Sequence, residues 1–273
     1  MFSGLHGWLW RTLHRIQGDD PAPFAEQLAA QQWWPGPALR DWQRDRLLEV
    51  VQIGYDRVPF YRARLEAALG GRPEQPLSDA QWQQIPILRK EELRTQGRSL
   101  VASSRKDLIQ STTSGSTGTP VTVWREPEFQ GHTRALQRRA MQWFGLEPWS
   151  PAFLIGGVPA VRWRLWRQKL LSSLTGRVVC SSYDLAPERL RKLLARIRRQ
   201  RPALVGGYTN AVYHLARAAV ESGIRMDDIG IQVVAPISEQ TETYHEQLFH
   251  QVFGAPIFIE YGCVEVGAMA YRC

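Results

Sequence analysis

The chain has 273 residues, 44% hydrophobic and 22% charged, with 34 Lys+Arg against 26 Asp+Glu for a formal net charge of +8. That composition excludes wholesale disorder and a fibrous repeat, and the length allows one large domain or two small ones. No apolar run reaches the roughly 18–20 residues of a transmembrane helix, and the three scattered cysteines, Cys180, Cys263 and Cys273, lack the spacing of a disulfide framework or a zinc site.

Only four basic residues are lysines (Lys90, Lys106, Lys169, Lys192), so arginine dominates the positive charge. A coding bias explains this most simply. A surface for phosphate or other anions is the functional alternative, because the guanidinium fork matches phosphate. No zinc finger, RNA-binding signature or basic heptad pattern points to a specific nucleic acid. The six histidines are scattered, and His245 and His250, five apart, miss the i,i+4 metal spacing.

The start, MFSGLHGWLWRTLHRI, sets Trp8, Leu9, Leu13 and Ile16 among Arg11 and Arg15. An ordinary packed helix is the preferred reading, weak contact with a membrane surface the alternative, and a signal peptide a poor fit. Residues 19–37, with four prolines, read as irregular chain. Leu47, Leu48, Val51 and Tyr55 recur at helical spacing from about Asp41, Pro59 interrupts, and a second helix runs to Gly70-Gly71. Residues 72–90 read as a Pro-punctuated connector. DLIQST (107–112) and PVTVWRE (120–126) read as strands around a polar loop, and residues 127–144 as a helix. Strands are then expected at PAFLIGG, Arg177–Cys180, PALVGGY, IQVVAP and PIFIEYG. Helices are expected at Pro187–Gln200, Asn210–Ser222 and Glu239–Phe253. Alternating strands and helices predict an α/β fold with a mostly parallel sheet flanked by helices. Ligands of such sheets collect beyond the carboxyl ends of the strands.

Two segments carry chemistry. Thr112–Pro120 reads TTSGSTGTP. Gly115 and Gly118 tolerate positive φ, which lets consecutive N–H groups form an anion nest, and Ser114, Ser116, Thr117 and Thr119 add hydroxyls. This suits a polyphosphate. It is not a Walker loop, because it lacks GK[ST] and is followed by a strand pattern. Far downstream, Tyr261-Gly262-Cys263-Val264-Glu265 follows the apolar PIFIE. The tyrosine offers a face for a base, the glycine is expected to permit a sharp turn, and the carboxylate is a hard ligand for Mg²⁺. Taken alone, this second segment reads as a strand-end turn with a surface glutamate.

TSGSTGTP followed by YGxxE resembles the adenylate-forming superfamily of acyl-CoA synthetases, luciferase and peptide-synthetase adenylation domains. VPFYRARL (58–65), IPILRKEEL (85–93), GYTNAVYHLA (207–216) and EYGCVEVGAMAYRC (260–273) are similar to the phenylacetate–CoA ligase-like branch called the CapK family, linked to capsular polysaccharide genes. The resemblance implies that a carboxylate attacks the α-phosphate of ATP to give an acyl-adenylate, and that coenzyme A or another nucleophile takes the acyl group. It implies that residues 114–119 (Ser114, Gly115, Ser116, Thr117, Gly118, Thr119) hold the β- and γ-phosphates, with Thr117 the principal hydroxyl contact. Tyr261 with Gly262 would face adenine, Ser238 and Glu239 would lie on the adenine side, and Glu265 would bind Mg²⁺. Thr117 and Glu265 are thus the expected catalytic residues, ATP, Mg²⁺ and coenzyme A the expected cofactors, and the cytoplasm the expected location.

Against the family pattern, Thr119 replaces a frequent Lys, Val264 a frequent Thr or Ser, and GYTN a frequent Gly-Tyr-Pro-Ser. The resemblance also implies a large N-terminal-type domain without the small C-terminal domain that bears a catalytic lysine. The expected organisation is a helical region, 1–106, packed on an α/β nucleotide-binding region, 107–273, incomplete at its end. VGAMAYRC is expected to extend into further sheet. A truncated relative that binds a ligand or partner in exopolysaccharide or capsule biosynthesis without catalysing is the alternative function.

Cys263 reads as the filler of a small position, since no base is nearby to activate it. ERLRKLLARIRRQR (188–201) reads as an amphipathic helix with Leu190, Leu193, Leu194 and Ile197 on its buried face. RWRLWRQK (162–169) reads as a half-buried segment in which arginine stacks on tryptophan.

Overall fold

The computed structural model describes residues 2–102, 106–113, 120–157 and 176–272. The chain forms two compact units, Met1–Asp20 with Thr133–Cys273, and Pro21–His132.

The second unit is mainly helical. It contains α2 (Ala22–Gln31), α3 (Gly36–Arg57), α4 (Pro59–Leu69), α5 (Asp79–Gln84), α6 (Lys90–Gln96) and a 3₁₀ turn (Gly97–Leu100). An antiparallel pair follows, β1 (Ile109–Thr112) and β2 (Thr122–Arg125). Two expectations fail here. Residues 19–37 are not irregular throughout, because α2 begins directly after Pro21 and carries Pro23 in its first turn, while α3 follows Pro35. A helix does not use its first N–H groups, so proline there costs nothing and presets φ. The connector 72–90 likewise contains α5. There Ser78 and Gln81 cap each other reciprocally, with the Gln81 N–H donating to Ser78 Oγ and the Ser78 N–H to Gln81 Oε1. The pair Arg64–Glu92 ties α4 to α6.

The first unit is built on a four-stranded parallel sheet. Its strands are β3 (Ala152–Gly156), β4 (Arg177–Ser181), β5 (Leu204–Tyr208) and β6 (Val233–Ile237), in the order β4-β3-β5-β6. Alternate residues face opposite sides. Phe153, Ile155, Val205 and Val234 point into a core shared with α8 (Pro187–Gln200), α9 (Thr209–Glu221) and α10 (Thr243–Phe253). Ala152, Leu154, Leu204, Val233 and Ala235 point to the other face, where Ala140 of α7 (Pro127–Gln142), Leu146 and Phe258 cover them. Burial on both faces explains why these strands read as unbroken apolar runs. Leu190, Leu193, Leu194 and Ile197 of α8 are buried as their spacing predicts, each contributing about 1.5–3 kcal/mol.

Helix α1 (Phe2–Gln17) packs through Trp10, whose ring lies 5.7 Å from that of Trp149. Beyond it, buried His14 Nδ1 lies 2.8 Å from Asp19 Oδ1, and Arg134 donates to Asp19 Oδ2. Trp8 and Ile16 remain exposed. Among the described residues no helix is long and apolar enough to cross a membrane.

The expected helix from Glu239 begins four residues later, at Thr243. Ser238 has φ +67, which no helix continues, and Glu242 exchanges caps with His245. The expected final strand is one arm of an antiparallel hairpin, β7 (Ile259–Cys263) and β8 (Gly267–Arg272). Ile257 bridges Val234 in parallel, so the chain enters the hairpin alongside β6.

Gly207 is confined on the inner strand β5. Its φ is +133, and a Cβ there would meet the Ile155 carbonyl oxygen at 1.9 Å. Gly207→Ala is expected to cost more than about 4 kcal/mol or to prevent folding, measured by urea denaturation. A variant of near wild-type stability would contradict this packing.

Two buried histidines make stability depend on pH. Burial pushes His14 and His245 below the usual value, against the opposing pull of nearby carboxylates. His245 Nδ1 also accepts the Glu242 N–H at 3.0 Å, a bond that protonation removes. With folded values below the unfolded value of about 6.5, the unfolded chain binds more protons as pH falls. The stabilisation is therefore present above pH ~6.5 and lost on acidification. The melting temperature is expected to drop between pH 7.5 and 5.5, and to drop less in His245→Gln.

Candidate functional site

In the first unit, β4 lies on one side of β3 and β5 on the other. The connections therefore reverse direction between β3 and β5, the kind of switch point at which α/β sheets take ligands beyond the carboxyl ends of their strands. β3 ends in Gly156-Gly157 and β5 in Tyr208. Tyr208 is half-buried and its hydroxyl reaches over Gly157, where a Cβ would lie 3.1 Å from it.

The segments after β5 and β6 are joined to each other. Thr209, fully buried, donates its hydroxyl to the Glu239 carbonyl at 3.2 Å. The Asn210 N–H donates to Glu239 Oε2 at 2.7 Å. Tyr208, the cap residue of α9, makes no side-chain cap bond. Glu239 thus supplies from a neighbouring loop the acceptor that a cap residue ordinarily provides, and places a carboxylate at the positive end of a helix. Ser238 precedes it, exposed.

The Val234–Ile257 bridge sets the height of the hairpin beside this edge, with Ser238 and Tyr261 each four residues farther on. Tyr261 is 67% exposed and opposite Ala270, with a register shift between Tyr261 and Gly262. Gly262 does not make the sharp turn expected of it. It lies in β7, where a Cβ would approach the Gly267 carbonyl at 2.5 Å, so close strand approach is what requires glycine. The turn itself is Val264-Glu265-Val266, and Gly267, with φ +76, closes it. Glu265 is half-buried on this turn. Cys263 fills no small internal position; its thiol is exposed and free. Cys180 is buried, and burial pushes its thiol up, which suppresses the thiolate.

The residues that fix the hairpin carried no sequence signal. Glu260 and Tyr271 are register partners, so both side chains lie on the face opposite Tyr261. Gln137 of α7 donates to Glu260 at 3.2 Å, and Tyr271 stacks on Phe258 with centroids 5.3 Å apart. Burial and the Glu260 carboxylate hold the Tyr271 hydroxyl well above the usual phenol range, so it stays protonated. Arg272 reaches Glu246 of α10 at 2.6 Å.

In the second unit, Ser114, Gly115, Ser116, Thr117, Gly118 and Thr119 lie outside the described residues, as does 162–169 in the first. The base of the hydroxyl loop is described. Thr112 and Thr122 pair their hydroxyls at 3.0 Å, the Val121 N–H donates to Thr113 Oγ1 at 2.9 Å, and the Thr113 N–H donates to the Val121 carbonyl at 2.9 Å. Among the described residues no three His, Cys, Asp or Glu side chains gather as a metal cage. A lone carboxylate such as Glu265 fits Mg²⁺ held mainly by phosphate oxygens and water.

No protein-family model and no curated protein matches the chain. Solved structures do match. A 2-hydroxyisobutyryl-CoA ligase in complex with 2-HIB-AMP and CoA in the thioesterification state aligns with TM-score 0.66 and 20% identity, over 85% of this chain and 50% of that one. An open conformation of that ligase with 2-HIB-AMP and CoA aligns at 0.65 and 19% identity, over 85% and 55%. Its postadenylation state with R3-HIB-AMP aligns at 0.64 and 19%, over 85% and 50%. The chain therefore shares the fold of the matched part of that ligase, a parallel sheet flanked by helices. The chain spans about half the length of these structures.

The Glu239 bond to α9 is testable by itself. Glu239→Ala is expected to remove about 0.5–2 kcal/mol, as loss of a helix cap does, read as a lower denaturation midpoint without ligand. Unchanged stability would remove this role for the side chain.

Proposed function

We propose that this chain is the nucleotide-binding part of an enzyme that activates a carboxylic acid with ATP and passes the acyl group to coenzyme A. The observation that carries the reading is the order TSGSTGTP then YGCVE on a fold shared with a ligase solved with 2-HIB-AMP and CoA. The further matches VPFYRARL, IPILRKEEL and GYTNAVYHLA support the phenylacetate–CoA ligase-like branch, and with it a place in capsular polysaccharide biosynthesis. A supply of ATP and coenzyme A places the activity in the cytoplasm.

In the proposed reaction a carboxylate oxygen bonds to the α-phosphorus, the bond from that phosphorus to the bridging oxygen breaks, and pyrophosphate leaves. The thiol of coenzyme A then takes the acyl carbon and AMP departs. The protein supplies position and charge neutralisation, with no covalent bond of its own. Residues 114–119 hold the outer phosphates through backbone N–H groups and hydroxyls, Thr117 foremost. Tyr261, exposed and presented by the hairpin, stacks on adenine, while Gly262 lets β8 approach closely behind it. Ser238 and Glu239 form the adenine-side loop. The Glu239 carboxylate is already engaged with Asn210, so its contribution is the shape of that loop. Glu265 offers its carboxylate to Mg²⁺, which when bound neutralises phosphate charge.

ATP with Mg²⁺ is expected to raise the melting temperature, because a ligand that binds only the folded state stabilises it by mass action. Thr117→Ala and Glu265→Ala are expected to abolish the shift. No shift at millimolar ATP would overturn the reading. Carboxylate-dependent ATP–pyrophosphate exchange by this chain would establish turnover. Nucleotide binding without exchange would favour the alternative, a ligand-binding relative that does not catalyse.

A further inference from the structure

Residues 112–120 contain six hydroxyl side chains and two glycines but no cation. Hydroxyls and N–H groups orient an anion, and a fixed positive charge nearby adds to the neutralisation that Mg²⁺ supplies. Within the same unit, the chain leaving this segment borders a cavity of about 350 Å³. That volume falls in the ~300–1,000 Å³ range of small-molecule sites. One wall is the end of α6, with Arg94 and Thr95. The opposite wall is β2, with Thr122 and Trp124 on a single face of the strand, and Pro120 lies at the edge. Arg94 Nη1 donates to Glu91 Oε2 at 2.9 Å, and Glu91 also lines the cavity. One bond engages one of the five N–H donors of a guanidinium, and the Arg94 side chain is 36% exposed, so the rest of the fork is open to an incoming group.

We propose that Arg94 binds a phosphoryl group in this cavity, with Thr122 beside it and Glu91 as an internal carboxylate that an incoming phosphate displaces. This rests on the nucleotide reading above and adds to it the cation that the hydroxyl loop lacks. The ligand chemistry is a terminal phosphate, carried by ATP or by the pyrophosphate it releases. A guanidinium takes two phosphate oxygens at once, whereas an ammonium offers only a point charge.

Calorimetric titration of the full chain with ATP, inorganic pyrophosphate and AMP separates the possibilities. Arg94→Gln is expected to weaken pyrophosphate and ATP at least ~10-fold, since hydrogen bonds to charged groups contribute about 1.5–3 kcal/mol, and to leave AMP unchanged. Arg94→Lys should retain part of the affinity. Glu91→Gln should tighten pyrophosphate severalfold, because it removes the competing carboxylate; a merely structural ion pair predicts no gain. Arg191→Gln, on the exposed face of α8, should have no effect. Pyrophosphate affected but ATP spared in Arg94→Gln would assign the cavity to the free product, and ATP affected alone would assign it to the bound nucleotide. Wild-type affinity for both in Arg94→Gln, no gain in Glu91→Gln, or equal loss in Arg191→Gln would each overturn the assignment. If the wild-type chain binds neither ATP nor pyrophosphate, the nucleotide reading itself fails. If it binds both ligands and Arg94→Gln matches it for ATP and for pyrophosphate, only this assignment fails.

Discussion

The close approach of β5 to both of its neighbours is the constraint on which the α/β unit depends. A Cβ on Gly206 would meet the Ala235 carbonyl at 2.5 Å, and one on Gly207 would meet the Ile155 carbonyl at 1.9 Å. Two consecutive glycines let the strand run between β3 and β6 to its end. The next residue, Tyr208, is then the first side chain to emerge at the carboxyl edge, and α9 starts immediately behind it. The position of the helix end held by Glu239 follows from that placement.

The sheet buries both faces, so its stability comes from apolar area rather than from its many arginines. Several of those arginines serve local pairs: Arg134 with Asp19, Arg138 with Glu147, Arg72 with Asp56, Arg198 with Asp228. Asp19 is buried, so its pair is shielded from water, whereas solvated pairs such as Arg72–Asp56 and Arg198–Asp228 add little to stability. Their consequence is to divide the surplus positive charge among separate sites. The hairpin shows the same balance. Its Arg272–Glu246 pair is partly solvated, whereas Tyr271, stacked on Phe258 and met edge-on by Trp143, anchors one face and leaves Tyr261 on the other.

The proposed chemistry suits this division. Adenylation asks a protein to orient a nucleotide and to offset charge, and such work is done by helix ends, backbone N–H groups and single well-placed cations and carboxylates. Glu239 stabilises one helix end, Glu265 stands on a turn, and Arg94 lines a cavity that Pro120 and Thr122 also line. Glu239 and Arg94 are each held by a partner within their own unit.

Local pattern was enough to determine the alternation of strands and helices, the buried face of α8 and the parallel sheet, because periodicity of 2 or 3.6 is set by backbone geometry wherever one face meets a core. Both chemical segments were legible as residue types. The S-x-x-Q cap of α5 and the prolines opening α2 and α3 were also present in the sequence. They read as interruptions because proline breaks a helix or starts one depending on its place in the turn, a distinction of one or two residues. The roles of Gly207 and Gly262, the engagement of Glu239 with Asn210 and the anchoring of the hairpin through Glu260, Gln137 and Tyr271 were decided only by tertiary structure. Apart from Gly262, which faces Gly267 across the same hairpin, each is a contact between segments far apart in the chain, and no local pattern records how near two backbones will come once the strands have paired and the core has closed.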